Sequence, residues 1–429
     1  MTATPTTTCG CPENQRAGTS RRGLLRGAAA AGAAGALGGL VADGLAGSVA
    51  FGADAYAGDT LVVLSLRGGF DGLSAVVPHG DPAYYTARPG IGVPKTRLLG
   101  GDTMFGLHPA LAPLLPLWQN KQLAAVHAVG QGSPSRSHFA AMEELERAAA
   151  GTSIRTGWID RMLGATAGGT PFRGVSVGDS LAPRSMLGPN VDLSMRALDQ
   201  FNLAGEGTKR PMAATVRALY QGADPVLAAP AAAAIDALGT AATLKQAGYV
   251  AANGAAYPAG KLGTALKDVA RLIKANVGLA VATIDFGDWD LHEGLGTPVA
   301  GQGMYDQLAE LAGALAAFAA DLGPDGLNRV TVLTLSEFGR RVAENGSRGA
   351  DHGHGNAMLV LGGGVRGGRV YGRWPGLAPA KLVAGDLAVT TDYRTVIGEA
   401  LSRRCGVGSV ASVFPSLPAA ATLDMFTPR

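Results

Sequence analysis

The sequence predicts an α/β protein: a doubly wound, mostly parallel sheet flanked by helices. Short continuous apolar runs, such as Leu61–Leu66 and Val330–Leu335, have the pattern of strands buried on both faces. Between them apolar residues recur at helical spacing, as at Leu262, Leu266, Val269, Leu272 and Ile273. The 64 glycines follow no collagen-like period and fall in turns between these elements. Strands that alternate with helices build parallel sheets, whose ligands bind beyond the carboxyl ends of the strands.

Taken in order, the chain opens on an address. Residues 1–19 are polar, and Ser20-Arg21-Arg22-Gly23-Leu24-Leu25-Arg26 then precedes an Ala/Gly/Leu run that reaches about Gly52. A cationic start, a weakly apolar run and Ala55-Tyr56-Ala57 before Gly58 make an export signal of the twin-arginine type, covering residues 1–57. Glycines and Asp43 make the run a poor permanent membrane span. The protein is therefore expected at the periplasm, the cell surface or outside the cell, with the twin-arginine translocase as its partner during export. Cys9 and Cys11 leave with the leader, and Cys405 alone can form no internal disulfide.

Residues 58–429 read as a single domain. Leu61–Leu66 is the first strand, and it ends in the turn Arg67-Gly68-Gly69-Phe70-Asp71-Gly72. Leu111–Trp118 reads as a helix, Leu123–Val129 as a strand and Ser137–Ala150 as a helix. Residues 165–260 are rich in Gly, Ala and Pro with weak periodicity, and read as an insertion or cap over the sheet. Leu279–Ile284, Val330–Leu335 and Met358–Leu361 complete the strands, with a helix marked by Met304, Leu308, Leu311, Leu315 and Phe318.

Of 429 residues, 47% are apolar and 16% charged, enough for a large core. A formal charge of +3, from 36 basic and 33 acidic side chains, lacks the basic excess of a nucleic-acid surface. Chemistry concentrates after the strands. Asp71 follows the first; Asp288-Trp289-Asp290-Leu291-His292 follows Leu279–Ile284; Ser336-Glu337-Phe338-Gly339-Arg340 follows Val330–Leu335. The densest cluster is Asp351-His352-Gly353-His354, where one glycine-flanked loop can present several metal ligands. Gly349, Gly353 and Gly355 are expected to let that backbone turn tightly enough to aim alternate side chains inward. Each residue also has a structural reading: Asp71 as a turn former, Asp290 as a cap, Glu337 as a partner of Arg340. His138 reads as a capping residue against Glu143 or Glu144, or as a proton relay.

Gly68-Gly69-Phe70-Asp71-Gly72-Leu73, Arg136-Ser137-His138-Phe139, Gly157-Trp158-Ile159-Asp160, Asp288–His292, Ser336–Arg340, Asp351–Gly355 and Thr391-Asp392-Tyr393-Arg394 together resemble the DUF1501 family. That family comprises exported bacterial proteins related to the alkaline phosphatase and sulfatase superfamily. The resemblance implies an alkaline-phosphatase-like sheet whose strand ends hold one or two divalent ions, zinc foremost and calcium or manganese as alternatives. It implies hydrolysis of a phosphate or sulfate ester by a nucleophile at a helix start, a place that Ser137 fits. Asp71, Asp290, His292, Glu337, Asp351, His352 and His354 become the implied metal ligands, and Arg136 or Arg340 the implied holder of ester oxygens. Phe338 departs from the superfamily pattern, which has a histidine there, and Asp351-His352 would supply the missing pair. Gly132 stands where a sulfatase-like Ser133-Pro134-Ser135-Arg136 motif would need Cys or Ser, so formylglycine is not expected and Ser135 is the second nucleophile candidate. The alternative is an exported binding or surface-assembly protein that keeps the fold without turnover.

Overall fold

The structure is a computed structural model that describes residues 56–429 apart from 134, 169, 180, 208 and 419–421. The expected export signal, with its paired arginines, Cys9 and Cys11, lies outside the described residues up to residue 55. The sheet is built from β1 (Thr60–Leu66), β2 (Leu123–Gly130), β3 (Gly174–Val177), β4 (Leu193–Met195), β5 (Val281–Phe286), β6 (Val330–Leu335), β7 (Asn356–Gly362), β8 (Val370–Tyr371) and β9 (Thr391–Asp392). Its order is β8-β2-β7-β6-β1-β5-β3-β4, with β9 also paired to β2. Within this sheet, among the described residues, β7 alone runs antiparallel to its neighbours, β2 and β6. The sheet is therefore mixed but mostly parallel, as the apolar runs predict.

The alternation along β1 shows why the sheet is covered twice. Val62, Leu64 and Leu66 enter one apolar cluster and Leu61 and Val63 the other. The first cluster is closed by Trp118 of α1 (Leu115–Gln119) and by α6 (Lys261–Lys274) and α7 (Gly303–Leu327). Leu262, Leu266, Val269 and Leu272 of α6 meet Leu308, Leu311, Leu315 and Phe318 of α7 there. The second is closed by α3 (Trp158–Gly164) and α8 (Tyr393–Arg403), through Trp158, Ile159, Met162, Val396, Ile397 and Leu401. Each fully buried aliphatic side chain contributes roughly 1.5–3 kcal/mol, so the helices are held by their apolar stripes rather than by propensity.

Register sets the site. Leu66 of β1 lies beside Phe286 of β5, and Ser65 beside Leu335 of β6, so these strands end at one level. The loops after β1, β5 and β6 therefore leave from one edge, together with the segment from β2 into α2 (His138–Arg147). Residues 336–355 turn back at that edge and enter β7, which is why β7 is antiparallel.

Part of the segment 165–260, expected as an insertion or cap over the sheet, belongs to the sheet itself. Its first part supplies β3 and β4, paired in parallel with each other, and β3 pairs with β5. Its later part supplies the helices α4 (Met212–Tyr220) and α5 (Pro225–Ala247). Strands of three or four residues are too short to show a period, which is how this part of the sheet passes for irregular chain.

Candidate metal centre

Four side chains meet at the strand-end edge. His138 begins α2, Asp290 and His292 stand in the loop after β5, and His352 stands before β7. His352 Nε2 lies 3.0 Å from His138 Nε2, 2.9 Å from His292 Nε2 and 3.1 Å from Asp290 Oδ1. Asp290 also lies 3.5 Å from His138 Nε2 through Oδ2 and 3.2 Å from His292 Nε2 through Oδ1. His138, Asp290 and His352 each offer one ligand atom within 4.8 Å of the others, so this His-Asp-His group could hold a metal ion.

The opposite ring nitrogens decide which way the lone pairs point. His138 Nδ1 lies 2.7 Å from Glu337 Oε1, His292 Nδ1 3.1 Å from Asp351 Oδ1, and His352 Nδ1 2.8 Å from the Arg136 carbonyl. All three partners accept, so in the neutral imidazoles each Nδ1 carries the proton and each Nε2 lone pair is turned into the group. Lone pairs and a carboxylate at these distances repel unless a cation sits among them. Ligand atoms about 2.0–2.1 Å from a tetrahedral zinc ion would be roughly 3.3 Å apart, inside the 2.9–3.5 Å spread seen here.

A second layer holds these groups. Glu337 is buried; it accepts from the Gly68 N–H at 2.9 Å and from Ser336 Oγ at 3.0 Å while it orients His138. Asp351 accepts from Asn345 Nδ2 at 3.0 Å, and this bond, followed by the one from His292, holds its carboxyl below the usual carboxylate range. Arg340 is buried and donates to Asp290 Oδ1 at 2.6 Å, to the carbonyls of Gly69, Ala350 and Trp289, and to that of Gly68. Burial opposes ionisation of Asp290, but the hydrogen bond and charge of Arg340 outweigh it and hold its carboxyl low. Phe338 is also buried, and its ring lies 4.8 Å from that of His138 and 4.9 Å from that of His352. At this position the chain has an apolar wall behind two imidazoles.

Several expected roles change. Asp71 is not brought to the group: Arg88 takes Oδ2 at 2.6 Å and Oδ1 at 3.0 Å, in a fully buried pair. Despite the opposing cost of burial, the Arg88 charge holds Asp71 below the usual carboxylate range. His354 is buried behind the loop, with Nε2 2.8 Å from the Gln131 carbonyl. Glu337 and Asp351 orient ligands instead of facing the group. Neither arginine expected to hold ester oxygens has its guanidinium free. Arg340 is spent as described, and Arg136 Nε and Nη2 lie 3.1 and 2.6 Å from Asp386 Oδ2. Ser137 caps α2, accepting from the Ala140 N–H at 3.5 Å, and stands next to His138 on the exposed side.

The glycines of the loop serve differently from expectation. Gly349, Gly353 and Gly355 are outside the left-handed region. A side chain at Gly349 would collide with the His292 carbonyl, and one at Gly353 with the Arg340 backbone. These residues let chains cross, and the left-handed turn belongs instead to Gly68 (φ 114°) and Gly69 (φ 70°). His138 is the member of the group that sequence reasoning did not place there. Its signal was there: four of the seven histidines fall at 138, 292, 352 and 354.

No curated protein matches this sequence. The lipoteichoic acid synthase LtaP from Listeria monocytogenes is similar in structure at a TM-score of 0.34 and 10% identity, over 79% of this chain and 75% of that one. The PsFucS1 sulfatase from Pseudoalteromonas sp. is similar at 0.35 and 12% identity, over 86% and 70%. Residues 117–400 match DUF1501, a family described as proteins of unknown function, and the chain belongs to that family.

Proposed function

We propose that the protein is an exported metal-dependent hydrolase of phosphate or sulfate esters, in which His138, Asp290 and His352 hold a divalent ion with His292 beside them. The orientation of the imidazoles carries this reading: each Nδ1 lies against an acceptor, so in the neutral rings the Nε2 lone pairs face the group. Imidazole nitrogens with one carboxylate suit zinc better than calcium, and leave manganese open. When bound, such an ion supplies Lewis-acid polarisation of an ester oxygen. The chain's own residues do the rest. Glu337 and Asp351 keep the Nδ1 protons in place, Arg340 fixes Asp290 Oδ1, and Phe338 keeps water from the backs of the rings. Ser137 is the nucleophile in this reading, because the unpaired N–H groups and dipole at the start of α2 favour negative charge beside it. The paired arginines at 21 and 22 support export by the twin-arginine translocase, and Lys at both positions should strand the precursor in the cytoplasm.

A second reading, a binding or surface-assembly protein without turnover, is favoured by the engagement of both Arg136 and Arg340. Metal analysis of the protein as isolated, then a panel of aryl phosphates and sulfates with zinc, manganese or calcium, separates the two. Hydrolysis that Ser137→Ala abolishes while metal content stays supports the first. Metal without turnover supports the second, and a protein that takes up no metal overturns the hydrolase.

A further inference from the structure

Two of the group's histidines depend on one short segment. The chain between β2 and α2, described at 131–133 and 135–138, delivers His138 directly and the Arg136 carbonyl to His352 Nδ1 at 2.8 Å. The segment is tied at both ends. At the first, the Gln131 amide donates to the carbonyls of Ala141 at 2.7 Å and Glu337 at 2.9 Å. At the second, the Arg136 guanidinium meets Asp386 Oδ2 at 2.6 Å and the Ala384 carbonyl at 3.1 Å.

Asp386 is the fixed member of that pair. Its side chain is 2% exposed against 40% for Arg136. Its backbone exchanges hydrogen bonds of 3.0 Å with Val383, and the next residue, Leu387, accepts from the Gly355 N–H at 2.9 Å. The stretch is thereby clamped to the loop that carries His352. Its Oδ1 is buried with no hydrogen-bond partner among the described residues. Burial of a carboxylate costs free energy unless it is compensated, and an aspartate that merely neutralised a surface arginine would stay in water.

We infer that Asp386 is a positioning residue of the metal group. Through Arg136 it aims the Arg136 carbonyl at His352 Nδ1 and so turns the His352 Nε2 lone pair inward, and it steadies the segment that carries His138. The inference rests on the metal-centre reading. Partners that orient a ligating histidine typically contribute 10–100-fold to metal affinity, and Asp386 acts one bond further out, so about tenfold is expected.

The test is a cobalt(II) titration of the metal-stripped protein, reading affinity and the visible ligand-field bands. Asp386→Ala and Arg136→Met should each weaken binding about tenfold and alter the bands, with Asp386→Asn between them and the parent. Arg136→Met touches a half-exposed side chain and serves if Asp386→Ala does not fold. Asp59→Asn breaks another buried pair, with Arg404 at 2.8 Å before β1 at the opposite edge of the sheet, and should lower stability while leaving the bands alone. Parent-like affinity and bands in both Asp386→Ala and Arg136→Met overturn the inference, as does an equal loss in Asp59→Asn. A parent protein that binds no cobalt overturns the metal centre itself.

Discussion

Asp71 and Asp290 carry the same signal in the sequence and meet different fates. Each is an acid in a turn after a buried parallel strand, and each pairs with an arginine. Arg88 reaches both oxygens of Asp71 and seals it at 3% side-chain exposure. Arg340 reaches only Oδ1 of Asp290, which stays 48% exposed with Oδ2 turned toward His138. Position after a strand brings a carboxylate to the edge. The reach of its arginine decides whether an oxygen is left over for a ligand.

The largest expected effect breaks the buried pair. Asp71→Asn leaves Arg88 buried without its counter-charge and should cost about 3–5 kcal/mol in chemical denaturation at neutral pH. Asp290→Asn should cost far less stability, since its site is half open, and instead strip the metal. The pH dependence has a definite sign. Asp71 is held low in the folded protein, so its contribution is present above the unfolded carboxylate value, about 3.9, and is lost as pH falls through the lower folded value. Asp71→Asn should flatten the acid limb of the stability curve. An unchanged acid limb would show that the Arg88 pair is not what holds it.

The next effect separates two histidines on one loop. His352→Ala should abolish metal retention, because its Nε2 touches His138, His292 and Asp290. His354→Ala should retain metal and lose stability, because its Nε2 serves the Gln131 carbonyl. Elemental analysis of the two purified variants checks this. Equal metal content in both would mean that the group has been drawn around the wrong residue.

This pair also marks how far the sequence could be read. The strands β1, β2, β5 and β6 announce themselves as apolar runs, so the edge that carries the chemistry is visible before any coordinates. The strands β3, β4, β8 and β9 are only two to four residues long and carry no period. Within the site, residue type showed which loops matter, but not which layer each side chain joins. Glu337 and Asp351 look like ligands because carboxylates ligate. Only the distances to His138 Nδ1 and His292 Nδ1 reveal that they orient histidines. His138 was hidden by its place beside a helix cap, where a polar residue already has a structural reason, and Asp386 by a stretch of mostly small and apolar residues.

The smallest effect sharpens the comparison inside the second layer. Glu337 and Asp351 both accept from an Nδ1, yet Glu337 is buried with further bonds from Gly68 and Ser336, while Asp351 is 53% exposed. Removal of charge from a buried acceptor leaves its donors poorly matched, whereas water can replace an exposed one. Glu337→Gln should therefore weaken metal binding toward the upper part of the 10–100-fold range for such partners, and Asp351→Asn should fall at or below its lower end. Competition with a chromophoric chelator measures both on one scale. If Asp351→Asn proves the more damaging, His292 is a more important ligand than its flank position implies, and the group is better described as centred on His292 and His352 than on His138 and His352.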